Sequence, residues 1–252
     1  MIDVSQADGV ATLTLADGSL LTKHDVPLGL ALRDGVRDAA ESDDIKAIVI
    51  RASGRDFSPA VPLAELAAAA RCSANGVTPP WHEAYAAVTG LYQNVCYCKK
   101  VVITAVGGQC AGAGSLLVLC SDLTVATPDA TFESPFGALP EANLVLAAIT
   151  MRLNRAKGWL LGGGTLSAQE AFDAGLINAI VERDALDDEA RKLARAVTRM
   201  PLDGLAMSKI NVETCLDAQG VGREFDMAGF YAGAMQSYWD GVAASAEGGK
   251  HE

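Results

Sequence analysis

No apolar run in this 252-residue chain approaches the ~18 residues that cross a bilayer, so a membrane-spanning helix is not expected. The opening stretch, MIDVSQADG, is acidic where a secretory leader would carry positive charge followed by an apolar segment, and no leader is read there. Basic residues are scarce. Twenty Lys and Arg stand against 31 Asp and Glu, a net charge of −11 that argues against a nucleic-acid partner. That balance leaves room for an anionic small molecule, which needs only a local basic patch. Lys99-Lys100, Arg51 and Arg55 are candidates for one, against the ordinary role of solvated surface charge. The six cysteines (72, 96, 98, 110, 120, 215) are scattered, and Cys96-Tyr97-Cys98 has no second Cys or His pair at zinc spacing. Buried or incidental thiols in a reducing cytoplasm are therefore expected, and no metal site. Neither repeats nor low-complexity tracts interrupt the chain. Half the residues are apolar and 20% charged, enough for a large core and a substantial subunit interface.

The most informative segment is Val101–Asp122, VVITAVGGQCAGAGSLLVLCSD. It reads as a buried strand, a glycine turn, a second glycine pair (Gly112, Gly114) and a short apolar helix. Glycines between a strand and a helix let a ligand approach main-chain N–H groups, with the positive end of the helix behind them. The segment can hold an anion or an oxyanion, or it can be a tight turn with no ligand. A phosphate-cradling loop would need Lys-Ser/Thr where Ala113-Gly114 stand, and the dinucleotide glycine pattern is broken by Ser115-Leu116-Leu117. Both nucleotide readings fail.

Along the chain, Val10–Leu15 and Ile45–Ile50 read as strands, Asp17-Gly18 as a turn, and Pro27–Ala40 as a helix. Leu63–Arg71 reads as an alanine-rich helix, Cys72–Pro80 as a loop, and Trp81–Cys98 as a helix. Asn143–Leu161 reads as one helix that stops at Gly162-Gly163-Gly164. Ser167 and Glu170 have capping-box spacing, Gly175 is placed to end that short helix, and Ile177–Val181 is a strand. Two or three helices fill Leu186–Tyr238, broken near Pro201 and Gly220-Val221-Gly222, and Ala243–Glu252 reads as a frayed tail.

Four segments in order resemble the crotonase (enoyl-CoA hydratase/isomerase) superfamily. They are Ile45–Val61, the glycine segment, the run Ser121–Ala126 with Ala130–Phe132, and Leu160–Val181. The resemblance implies an α/β fold, a spiral of β-β-α turns over Met1–Thr198 followed by a helical trimerisation region over Arg199–Glu252. It implies a homotrimer or dimer of trimers that takes an acyl-CoA thioester, with no cofactor beyond the coenzyme A of the substrate.

By motif position, the resemblance places an oxyanion hole at the main-chain N–H groups of Val61 and Ala113. Such a pair polarises the thioester carbonyl and stabilises an enolate, each donor being worth roughly 3–4 kcal/mol. Ser58, Ala60, Gly112 and Gly114 flank these donors and are the expected substrate-binding positions. The first motif departs from the family pattern, with Ala60 where Gly stands and Pro62 where Asp stands; Pro62 pushes Val61 toward extended geometry. Lys23 and His24 lie where the family's N-terminal loop meets coenzyme A. His82 is a candidate for the acyl pocket, against the commoner role of a surface or packing histidine.

Hydratases of the family use two glutamates, and here those positions hold Leu116 and Phe136. An apolar side chain cannot orient or deprotonate water, so the usual hydratase chemistry is not written in the chain. Phe136 is kept as a substrate-binding candidate. The stretch Ser134–Glu141 instead resembles the segment in which peroxisomal-type Δ3,Δ2-enoyl-CoA isomerases carry one proton-shuttling glutamate, here Glu141, though this chain is about two residues shorter between Phe136 and Glu141. Its apolar neighbours Leu139, Pro140, Leu144 and Val145 would raise its pKa. The bland alternative is a first-turn helix glutamate favoured by the dipole. Glu133 and Asp122 read as structural, and Phe225, Phe230, Tyr231, Tyr238 and Trp239 as core or interface aromatics. The expectation is an acyl-CoA enzyme that isomerises a double bond. Its rivals are a hydratase using Glu141 and Glu133, a decarboxylase or C–C hydrolase, and a non-catalytic thioester-binding protein.

Overall fold

Asp8 and Gly9 both take positive φ, 52° and 78°, the two-residue geometry that turns a twisted strand back on itself. They join β1 (Ile2–Ala7) to β2 (Val10–Leu15) as an antiparallel hairpin with Ala7 opposite Val10. The sequence reading places no strand before Val10. All of β1 except Ile2 is exposed, so it carries no apolar alternation, and the Asp-Gly dipeptide is the local sign of it. The computed structural model describes residues 2–16, 26–60, 89–135 and 143–227. Asp17-Gly18, Leu63–Arg71, Cys72–Pro80, residues 81–88 of the expected Trp81 helix, and Ala243–Glu252 lie outside the described residues, as do Phe230, Tyr231, Tyr238 and Trp239.

From β2 the large sheet continues in parallel through β3 (Ala47–Ala52), β4 (Val101–Val106), β6 (Leu123–Ala126) and β9 (Ala179–Ile180). A second sheet holds β5 (Gln109–Cys110), β7 (Thr131–Glu133) and β8 (Thr165–Ser167), and a parallel bridge from Ser58 to Cys110 adds a rung to it. The pairs β3 with Ser58, β4 with β5, and β6 with β7 are successive turns, each giving one segment to each sheet. This is the α/β spiral that the sequence predicts.

Strand side chains alternate between two faces, and both faces are covered. On one side Leu13, Leu15, Ile48 and Ile50 join Leu32 of α1 (Val26–Glu41), Leu91 of α2 (Thr89–Cys96) and Leu116 and Leu117 of α3 (Ala113–Cys120) in the main core. On the other, Val10, Ala47, Val49, Ile103 and Ala105 pack against Ala190 and Ala194 of α7 (Leu186–Thr198). The first turn of α7 carries Asp187, Asp188 and Glu189, which suits the helix dipole, and Lys46 Nζ donates to the carbonyls of Thr198 and Met200 at its far end.

The expected helix Asn143–Leu161 is two helices, α4 (Asn143–Thr150) and α5 (Leu153–Gly162), separated by Arg152 at φ −62°, ψ 129°. No Pro or Gly marks the break. It lets Leu146 and Ala147 from one helix, Met151 from the break, and Ala156, Trp159 and Leu160 from the next helix enter the same core. The strand read over Ile177–Val181 narrows to Ala179–Ile180. The Ser167–Glu170 capping box is formed at α6 (Ala168–Ala174), and Gly175, at φ +88°, ends that helix as expected.

Helix α8 (Leu202–Ala218) starts after Pro201, and a further helical stretch covers residues 221–227 beyond Gly220. Two carboxylates tie this end to the core. Asp122 accepts the Val102 N–H at 2.8 Å through Oδ2, while its Oδ1 pairs with Lys209, which is 6% exposed. Glu224 Oε2 accepts the Val145 N–H at 3.0 Å, in the first turn of α4.

Burial raises the Glu224 pKa, against the lowering effect of the Val145 hydrogen bond. A raised folded pKa means that the folded protein binds this proton more tightly than the unfolded chain. The group's contribution is therefore fully present below the ordinary glutamate value of 4.5 and is lost as pH rises through the folded pKa. Glu224→Gln keeps an acceptor for Val145 and should flatten this part of the melting temperature's pH dependence above 4.5. Superimposable profiles of parent and variant would contradict that assignment.

Candidate active site

The glycine segment builds one end of the site. Strand β4 ends at Val106, Gly108 turns at φ +57°, and β5 leads into Gly112 at φ 50°, ψ −111°, a conformation that favours glycine. Helix α3 then begins at Ala113 with no side-chain cap and no acidic residue in its first turn. Every residue of α3 is buried. Among the described residues the Ala113 N–H makes no hydrogen bond, so an unpaired donor stands at the positive end of an apolar helix.

Three hydroxyls brace this turn. Tyr92 donates to the Ala113 carbonyl at 3.3 Å, Ser115 Oγ to the Cys110 carbonyl at 2.8 Å, and Ser58 Oγ to the Ala111 carbonyl at 3.3 Å. Tyr92 and Ser115 escaped the sequence reading, because nothing local to either residue signals the contact. Gly114 is explained by packing: a Cβ there would lie 2.5 Å from Ser58 Cβ and 3.3 Å from Cys110 Sγ. The loop from Asp56 to Ala60 can therefore lie directly against the start of α3.

That loop is the other wall. Phe57 N–H donates to the Gly107 carbonyl at 2.9 Å, Ser58 N–H to the Gln109 carbonyl at 2.9 Å, and Ala111 N–H to the Ser58 carbonyl at 2.8 Å. Asp56 Oδ1 accepts the Gln109 N–H at 2.8 Å, and Gln109 Oε1 accepts the Ala60 N–H at 3.2 Å. Behind the loop, Arg183 donates to the Arg55 carbonyl at 2.9 Å and pairs with Asp129 at 2.8 Å.

Ser58, Ala60, Gly112, Ala113 and Gly114 thus converge. Val61, His82, Phe136, Glu141 and Lys23 lie outside the described residues, with His24. Leu116, at the first hydratase glutamate position, is completely buried in the core. Glu133 is exposed on β7. Beside the Glu141 segment, Leu144 is 40% exposed and Val145 half-buried, a wetter flank than the sequence suggests. Of the expected basic patch, Arg51 pairs with Asp187 and Lys100 is buried with its Nζ on the Ser42 carbonyl. Lys99 and Arg55 remain exposed.

Cys110 is fully buried, and burial pushes its thiol up to about 12, so it stays neutral and unreactive at neutral pH. From Phe57 to Ala60 and from Gln109 to Leu116 no side chain carries charge at neutral pH. This part of the site can polarise a carbonyl but supplies no base.

Known proteins share this architecture. The 1,2-epoxyphenylacetyl-CoA isomerase of Escherichia coli (strain K12) is 28% identical over 244 residues, covering 94% of this chain and 91% of that protein. A 4-chlorobenzoyl coenzyme A dehalogenase-1 from an Arthrobacter species is 28% identical over 218 residues, 83% of this chain and 77% of its own. The crystal structure of an enoyl-CoA hydratase/isomerase from Pseudoalteromonas atlantica T6c superposes with a TM-score of 0.78 at 26% identity, covering 98% of this chain and 96% of that one. The enoyl-CoA hydratase/isomerase family profile matches residues 28–250. The chain belongs to the enoyl-CoA hydratase/isomerase family of the crotonase superfamily.

Proposed function

We propose that this protein moves a double bond of an enoyl-CoA thioester from the Δ3 to the Δ2 position. The observation that carries the reading is the unpaired Ala113 N–H at the start of an uncapped, wholly apolar helix. The thioester carbonyl accepts hydrogen bonds from Ala113 and Val61, with Ser58, Ala60 and Gly112 beside them. Glu141 removes a proton from the α-carbon, the carbonyl oxygen takes the developing charge, and the same carboxyl returns the proton at the γ-carbon. No atom is gained or lost, and no water enters.

Burial of Leu116 supports this choice over hydration, since the first hydratase position faces the core. His82, Phe136 and Lys23 complete the proposed acyl and coenzyme A contacts. The reading requires no separate cofactor and fits a cytoplasmic homotrimer or dimer of trimers. Met207 and Val212, exposed on α8, support a subunit contact after Pro201.

Incubation with a chain-length series of 3-enoyl-CoA thioesters should produce the absorbance of the conjugated 2-enoyl product. Absence of migration at every chain length, with hydration of a 2-enoyl thioester or with binding alone, would replace isomerisation by the corresponding rival.

A further inference from the structure

Residues 111–114 form a turn of a defined kind. Gly112, at φ 50° and ψ −111°, has the first central geometry of a type II′ turn, and the Gly114 N–H closes the turn on the Ala111 carbonyl at 2.9 Å. Ala113, the second central residue, keeps a negative φ and opens α3. The proposed donor is the N–H of the central peptide, Gly112–Ala113. Both neighbouring peptides are held from outside the turn. Ser58 Oγ donates to the Ala111 carbonyl at 3.3 Å, and Tyr92 donates to the Ala113 carbonyl at 3.3 Å. The central peptide's own carbonyl accepts the Leu116 N–H at 3.2 Å. A trans peptide points its N–H the opposite way, here out of the helix.

With its neighbours held, such a peptide can still turn over as a unit, which converts a type II′ turn into type I′. The inverted peptide would present a carbonyl where the N–H now stands, break the Leu116 hydrogen bond and repel a thioester oxygen. Type I′ requires positive φ at both central residues. Gly112 already has it, and glycine adopts it freely. At position 113 a Cβ opposes it by about 5- to 30-fold. We propose that the Ala113 methyl group locks the Gly112–Ala113 peptide with its N–H toward the site, so that this donor is preformed in the ligand-free protein. This rests on the oxyanion reading above. The lock acts on the donor peptide itself, through the φ of the residue that carries the N–H.

The test uses 4-(dimethylamino)cinnamoyl-CoA, whose absorption moves to longer wavelength when its thioester carbonyl is polarised. The parent protein should bind it with a red shift. Ala113→Gly leaves the donor in place and removes the lock. Its Kd should rise about 3- to 10-fold, because a smaller fraction of the free protein is competent to bind. Its red shift at saturation should stay parental, since the bound ligand selects the N–H orientation. Ala113→Ser keeps a Cβ and should bind within about twofold of the parent. The ligand-free crystal structure of Ala113→Gly should show the Gly112 carbonyl inverted toward the site. A Gly variant with parental Kd and an upright peptide overturns the lock. So does a Ser variant that binds as weakly as the Gly variant, or a Gly variant whose saturated red shift falls, which marks a general loosening of α3. A parent that shows no red shift overturns the oxyanion reading itself, a separate failure.

Discussion

Glu141→Gln should lower Δ3→Δ2 isomerisation by about 10²–10⁴, the usual worth of a positioned proton-transfer group. Glutamine keeps the shape of the side chain and can neither take nor return the proton. Acyl-CoA affinity should be nearly unchanged, because the proposed site holds the thioester by main-chain donors and not by this carboxyl. The described part of the site gives the prediction its force. Phe57–Ala60 and Gln109–Leu116 carry no charge at neutral pH, and the buried Cys110 thiol does not ionise there. A base has to come from another segment, and Glu141 is the motif-matched carboxylate. Measured rates that are equal in parent and variant would end the single-glutamate mechanism while leaving the oxyanion hole untouched.

The second large effect concerns stability. Lys209→Met leaves Asp122 with the Val102 N–H but no counter-charge in a half-buried setting. Removing one partner of a buried pair costs about 3–5 kcal/mol, and the partial exposure of Asp122 favours the lower end. About 3 kcal/mol corresponds to a fall of about 6–12 °C in the melting temperature of a chain this size. Lys209→Met combined with Asp122→Asn should recover much of that loss, since the stranded charge is then gone. A single variant that melts within about 1 °C of the parent would show that the pair contributes nothing net. Asp122 stands just past the end of α3, whose other end holds Ala113, so thioester affinity of the folded variant provides a second readout.

What the sequence shows is local. The strand Val101–Val106, its glycine turn and the apolar helix behind it are legible because each uses a short pattern: a buried run, residues suited to unusual φ, then a second buried run. The Ser167 capping box and the Gly175 stop are legible for the same reason. The supports of the site are not. Gln109 reaches Ala60 across 49 residues, Lys209 reaches Asp122 across 87, and Arg183 reaches Arg55 across 128. No window of sequence contains both partners, and a glutamine or arginine in isolation looks like surface. The division of Asn143–Leu161 escapes notice for a different reason. Core packing bends the chain at Arg152, where no breaker residue announces it.

Helix α7 closes one face of a sheet most of whose strands are far earlier in the chain. Val10, Ala47, Val49, Ile103 and Ala105 are shielded by Ala190 and Ala194. During synthesis from the N-terminus, the first three-quarters of the polypeptide can assemble its strands, yet that apolar face stays bare until residues 186–198 leave the ribosome. The nascent chain passes through an interval in which it is most prone to stick to its neighbours, and truncation just before Leu186 would make that interval permanent.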